Sequence, residues 1–315
     1  MVCILQDISE HSSVRELGDF FEVTALRSKI ASKTDIGRHL GMLSDNEHNE
    51  GCEDDDSERA DALDEVLLEL EARERNTGGS QYPFTIDESG TILSLEWDKT
   101  CRRHWFYIYL LLSTNLNMSS DRSHAGIDGT ALLEELSVEV IRSYLGDRSR
   151  SMNFGTSVAG GFGDKVDNLC REIGEGCGYD LPAGTNRRPK DGKLDTVCWI
   201  PFSDERRSKL IVFGQCKTGT SWRDSVAQLQ PQSFMNKYFK KNFSLVPVRA
   251  FFISEAIETA KWNDHSIDAG LLFDRCRLVD FCPENLEERL FNKLKSWTKA
   301  ALDSVETAHS YGGHS

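Results

Sequence analysis

Lys190 to Lys217 reads KDGKLDTVCWIPFSDERRSKLIVFGQCK, and the way this stretch pairs with itself decides the fold. Leu194–Ile200 and Lys209–Cys216 carry the β-branched and aromatic residues of strands, while SDERRS (Ser203–Ser208) carries the residues of a turn. Opposite residues of an antiparallel pair have a constant index sum. A turn centred near 205 puts that sum near 410 and sets Asp195 opposite Gln215. Gln215 and Lys217 are two apart and share one face, with Cys216 on the other. An amide and an ammonium at the end of an apolar strand are costly to bury unless an anion or a metal ion meets them.

The flanking chain predicts an α/β core. Thr130–Leu145 has a helical pattern. Phe154–Lys165 is a glycine-rich connector; without a following GK[ST] it does not read as a phosphate loop. Lys165–Ile173 predicts another helix. After the hairpin come a helical region broken at Pro231, strands over Val246–Ser254 and Arg277–Cys282, and a last helix over Leu286–Leu302. From the second of these helices on, an α-β-β-α-β-β-α order implies a mixed β-sheet flanked by helices.

The first third is different. Helices are predicted over Ser13–Ala31, from Ser32 with Thr34 as its cap, over Asp61–Arg75 and over Lys99–Leu116. Ser44–Asp61 reads as an acidic loop, and YPFTIDESGTILSLEW (Tyr82–Trp97) as a hairpin turning at Glu88-Ser89-Gly90. Three helices and a hairpin give a mainly helical N-terminal domain whose element order resembles a winged helix.

Charge divides the 315 residues in the same place. Residues 1–120 hold 24 acids and 11 Lys+Arg, net −13; residues 121–315 hold 27 and 26, net −1. Domains are therefore expected over 1–120 and 121–315. An acidic protein is a poor general binder of phosphate backbones, but a neutral domain can hold a basic groove. The longest apolar run, Trp105–Leu112, is too short to span a membrane. MVCILQDISEHS has no basic n-region, so no signal peptide is expected. Nine scattered cysteines without a CxxC pair predict reduced thiols in a cytoplasmic protein, and His104 and His124 have no metal-ligand spacing.

Asp195 and the Gln215 carbonyl are hard oxygen donors suited to Mg²⁺, with Lys217 beside them as a cation for a developing phosphate charge. An Asp on one strand and Gln-X-Lys on the next resembles the PD-(D/E)XK nuclease superfamily, the restriction-endonuclease-like fold. The Gln in place of the usual acid is similar to the QxK variant of Mrr-like restriction and phage-defence nucleases. The resemblance covers about residues 125–300. It implies a Glu on the helix before the sheet. Glu134 lies within the apolar arc of Thr130–Leu145, unlike Glu135 and Glu139, and is preferred over Glu135.

The resemblance further implies a Mg²⁺-dependent nuclease, with Mn²⁺ as a substitute, acting on DNA or alternatively RNA. The setting would be prokaryotic defence or restriction. Arg187, Arg188, Lys190, Lys193 and Arg223 would meet the substrate backbone. There is no Walker A motif, so an ATP-driven step would come from a partner, a helicase or sensor ATPase docked on the acidic domain. That domain would either restrain the nuclease until a partner releases it or serve only to keep the chain soluble. The competing reading is a catalytically inactive nucleic-acid- or protein-binding module on the same fold. Gln215 speaks for it and Lys217 against it.

Overall fold

A computed structural model describes residues 9, 12–41, 53–155, 160–180 and 192–312. The chain opens with α1 (Val14–Ser28), β1 (Ile30–Ser32), α2 (Lys33–His39) and α3 (Glu53–Asn76). The hairpin β2 (Phe84–Ile86) and β3 (Ile92–Leu95) and then α4 (Arg102–Asn115) follow. Ser13 and Glu16 form a reciprocal capping box that starts α1. The cap of α2 is Ser32, whose side chain accepts from the Asp35 N–H, and not Thr34. Ser32 is extended at the end of β1, the backbone state that an N-cap needs. The stretch expected as an acidic loop is helical from Glu53 onward; its earlier residues lie outside those described. β3 lies between β1 and β2, antiparallel to both.

The second part holds the two-residue strands β4 (Ser123–His124) and β5 (Ile127–Asp128), then α5 (Gly129–Leu145), β6 (Arg150–Asn153) and α6 (Phe162–Ile173). The central hairpin is β7 (Thr196–Trp199) and β8 (Ile211–Lys217). After it come α7 (Pro231–Tyr238), β9 (Val248–Ile253), α8 (Trp262–Ala269), β10 (Leu271–Phe273), α9 (Arg275–Asp280) and α10 (Glu288–Gly312). The five-stranded sheet runs β10-β9-β8-β7-β6, antiparallel on the β6-β7-β8 side and parallel on the β8-β9-β10 side. The chain is thus mixed α/β, as expected.

Several elements correct the sequence reading: the first helix ends at Ser28 and Ile30–Ser32 is β1, where a helix was expected to reach Ala31, and α8 has no counterpart among the expected elements. Arg277–Cys282 is not a strand: Asp274 accepts from the Arg277 N–H and starts α9, and the strand is the preceding β10. The four-residue edge strand β6 was not expected, because RSMN has no apolar alternation.

Alternation along β7 and β8 divides the core. Cys198 and Val212 face α5, in a cluster that runs from Leu17 to Val305 and includes α10. Val197, Trp199, Ile211 and Phe213 face α6 and α7. Every residue of α4 from His104 to Asn115 is buried, as for a helix surrounded on all sides. The parts distinguished by charge therefore share one core across residue 120. A buried ion network also joins them. Asp19 accepts from Arg73 at 2.8 Å and from Arg275 at 2.8 and 3.0 Å, and Glu22 accepts from Arg275 at 3.1 Å.

Candidate active site

Thr196 pairs with Gly214, an index sum of 410 that continues to put Asp195 opposite Gln215. The Asp195 N–H donates to the Gly214 carbonyl at 2.9 Å, extending the ladder by one residue. Asp195 Oδ2 accepts from the Cys216 N–H at 2.8 Å, which fixes the carboxylate at the strand end. Gly214 makes this close pairing possible: a Cβ there would stand 2.2 Å from Thr196 Oγ1 and 2.5 Å from the Phe252 ring.

Asp195, Gln215 and Lys217 line one cavity of about 320 Å³ together with Glu134, Arg122 and Lys193. The opening lies at the strand ends, so the β8 face that carries Gln215 and Lys217 and the helix α5 on the other side both reach it. Glu134 is half-buried, with its carboxylate against Gly155, where a Cβ would stand 2.1 Å from Oε2. Only glycine allows this approach. Glu135 instead pairs with Lys293 at 2.7 Å, and Glu139 with Arg142 at 2.7 Å.

Gln215 is 1% exposed, yet neither its Oε1 nor its Nε2 has a hydrogen-bond partner. Leaving a buried amide unpaired costs on the order of 1–3 kcal/mol. The surroundings are electronegative. Burial first, and then the charges of Asp195 and Glu134, push the Cys216 thiol well above its ordinary range. Burial does the same to the Tyr109 hydroxyl, with Glu134 among the smaller causes.

Other expected residues lie elsewhere. The Arg223 guanidinium and the Trp222 indole N–H both donate to buried Glu255, so Arg223 is committed to an ion pair and is not part of the cavity lining. Arg187, Arg188 and Lys190 lie outside the described residues. His104 accepts from the Asp98 N–H and its other ring nitrogen meets the Ser80 carbonyl, so it is structural. His124 meets the Asp121 carbonyl and packs on Trp297.

Two residues had no clear sequence signal. Arg122 reaches the cavity from the polar turn before α5 and pairs with Asp128 at 3.1 Å. Lys165, 8% exposed, donates to the Gly155 carbonyl at 2.5 Å and so braces the backbone under Glu134. Its position in the first turn of an amphipathic helix after a glycine-rich connector is the one hint the sequence carries.

Among the described residues no three His, Cys, Asp or Glu side chains gather as a metal site. The set at this cavity is two carboxylates and a buried amide oxygen. It fits a hard divalent cation, which prefers oxygen donors and would give Gln215 Oε1 the partner it lacks. All seven described cysteines are free thiols, and no described helix is long and apolar enough to cross a membrane. No family model, curated protein or solved structure matches the chain.

Proposed function

We propose that the chain is a Mg²⁺-dependent nuclease of the PD-(D/E)XK type that hydrolyses DNA phosphodiester bonds. The observation that carries this reading is the unpartnered, buried Gln215 amide beside Asp195 and Lys217 in one cavity. A helix before the sheet, an Asp on one strand, Gln-X-Lys on the next and a mixed sheet all support it. Glu134, Asp195 and the Gln215 carbonyl oxygen would hold the cation. When bound, Mg²⁺ (or Mn²⁺) supplies Lewis-acid polarisation of the phosphoryl oxygen and a water of lowered pKa.

The chain's own residues do the rest. Asp195 is held in place by the Cys216 N–H, so its carboxylate needs no reorganisation. Lys217 presents its ammonium on the Gln215 face, where it offsets the charge that builds on a pentavalent phosphate. Arg122 and Lys193 at the rim suit contacts to backbone phosphates.

The acidic first third is the partner-facing part of this proposal. Its α1-β1-α2-α3-β2-β3 order resembles a winged helix, but α3 exposes Asp61, Glu65 and Asp64, the last paired with Lys33, around Leu68, which is 62% exposed. That face suits a basic protein surface such as that of a helicase or sensor ATPase, in a defence or restriction setting, and repels nucleic acid.

Nicking of supercoiled plasmid by the purified chain tests the reading. Cleavage is expected with Mg²⁺ or Mn²⁺ and not with EDTA. Asp195→Ala and Lys217→Ala should each slow it by about 10²–10³-fold with an unchanged circular dichroism spectrum. A parent protein that cleaves neither DNA nor RNA under any divalent cation sinks the nuclease and leaves the binding module.

A further inference from the structure

A second cavity, of about 540 Å³, sits at the other end of the β7–β8 hairpin. Trp199, which closes β7, and Lys209, which precedes β8, both line it. Trp199 is four residues along the strand from Asp195, about 13 Å at ~3.3 Å per residue. None of the residues of the proposed nuclease site lines this cavity.

Its lining is cationic in an unusual way. Lys209 is 3% exposed, and its Nζ donates only to the carbonyls of Ile173 at 2.6 Å and Glu205 at 3.4 Å. The Ile173 carbonyl ends α6, so the helix dipole offsets part of the buried charge. No carboxylate among the described residues comes within ion-pair range of Lys209. A buried ammonium held by neutral acceptors alone is costly. Arg148, Arg150 and Arg171 line the same cavity and are exposed. None of the three has a carboxylate in ion-pair range among the described residues, and Arg171 bonds only to Asn168. Two acids, Glu172 and Glu205, are also in the lining, both on the exposed side, so four cations face two carboxylates.

The apolar part of the lining is Ile173, Trp199, Pro201 and Phe202. Trp199 is 2% exposed and its indole Nε1 has no acceptor. Phe202 stands at the rim, 54% exposed beside Pro201, where an aromatic ring gains nothing from water. Guanidinium groups recognise phosphate by paired, charge-assisted hydrogen bonds. Aromatic faces take a planar base by stacking, whatever its sequence. The volume is in the range of small-ligand sites.

We propose that this cavity is a nucleotide site. Arg148, Arg150 and Lys209 would take the phosphates, and Phe202 would stack on the base. The site is separate from the proposed nuclease centre and needs no metal, so it can be tested whether or not the chain cleaves DNA.

Calorimetric titration of the full chain in EDTA tests the assignment with ADP, GDP, CDP, UDP, pyrophosphate and adenosine as probes. At least one nucleoside diphosphate should bind saturably, pyrophosphate more weakly and adenosine most weakly. The R148A/R150A double variant, both changes on the surface, should weaken that binding by about tenfold per guanidinium lost. Phe202→Ala should weaken nucleotide binding and leave pyrophosphate unchanged. Lys217→Ala should leave all affinities as they are. The proposal is overturned if no nucleotide binds, or if binding is as tight in the double variant. An equal affinity for pyrophosphate and nucleotide would refute the base-stacking role of Phe202, and loss of binding in Lys217→Ala would relocate the ligand to the other cavity.

Discussion

The ion network around Asp19 and the cluster around Gln215 both hold polar groups out of water, but only the first closes on itself. Asp19 is bonded to Arg73, Arg275 and Asn115. Glu22 accepts from Tyr82 at 2.8 Å and Tyr107 at 2.7 Å as well as from Arg275. Two donors, Arg15 Nη1 and Arg73 Nε, are the exceptions. Gln215 is equally buried and has no partner on either amide atom. A closed network holds the molecule together; an open one beside a cavity is where a ligand is expected. The contrast makes separate predictions for the two regions.

The largest effect concerns the closed network and the core it spans. Deleting residues 1–120 removes Phe21, Leu63 and all of α4 from the shared core and leaves Arg275 without Asp19 and Glu22. The truncated chain should lose its cooperative thermal transition. A soluble fragment that melts like the whole protein would show two independent domains after all, and would restore the deletion as a test of restraint by the acidic part.

Asp19→Ala should come next. Removing one partner of a buried ion pair costs about 3–5 kcal/mol, which corresponds to a fall in Tm on the order of 10 °C. Burial by itself would raise the Asp19 carboxyl, but Arg275 and Arg73 outweigh it and hold the group well below the usual carboxylate range. A depressed carboxyl stabilises the fold at pH values above its unfolded pKa and loses that contribution as the pH falls. The parent Tm should therefore be steady from neutral pH to about 5 and decline below about 4, the ordinary range of Asp. Asp19→Asn should flatten the decline. An equal acid slope in the variant would remove Asp19 from this account.

The next pair of substitutions tests the open cluster. Glu134→Gln should reduce Mg²⁺-dependent cleavage by about 10–100-fold, the usual scale for disturbing a metal's ligand environment. Its neighbour Glu135 is bonded to Lys293 on a half-buried surface, and Glu135→Gln should leave cleavage intact and cost about 1 kcal/mol or less. Equal losses of activity in the two variants would mean that the helix contributes no specific ligand.

How much of this was legible in the sequence depended on whether the signal was local. The β7–β8 register followed from a turn of known length, and the helix face of Glu134 from a 3.6-residue period. Both rest on residues close in the chain. The network was not legible, because Asp19, Arg73 and Arg275 are brought together from positions more than 50 residues apart. Arg223 is bound in a similar way to Glu255, 32 residues on and just past the end of β9, and without that partner in view it reads as a groove residue. Lys165 and Gly155 acquire meaning only through contacts across the sheet edge. The strand expected over Arg277–Cys282 failed for a local reason: the Asp274 cap outweighs a short apolar alternation.

The central claim is that the Gln215 amide oxygen is a metal ligand, and a Mg²⁺ titration of cleavage tests it most directly. The parent, Gln215→Glu and Gln215→Leu would be compared over the same range of Mg²⁺. Restoring a carboxylate should preserve activity and move the half-maximal Mg²⁺ lower. The leucine should move it at least about tenfold higher or abolish cleavage, since it fills the same space with no oxygen. Three coincident titration curves would contradict the account, because Gln215 would then be buried beside Asp195 and Lys217 without touching the metal.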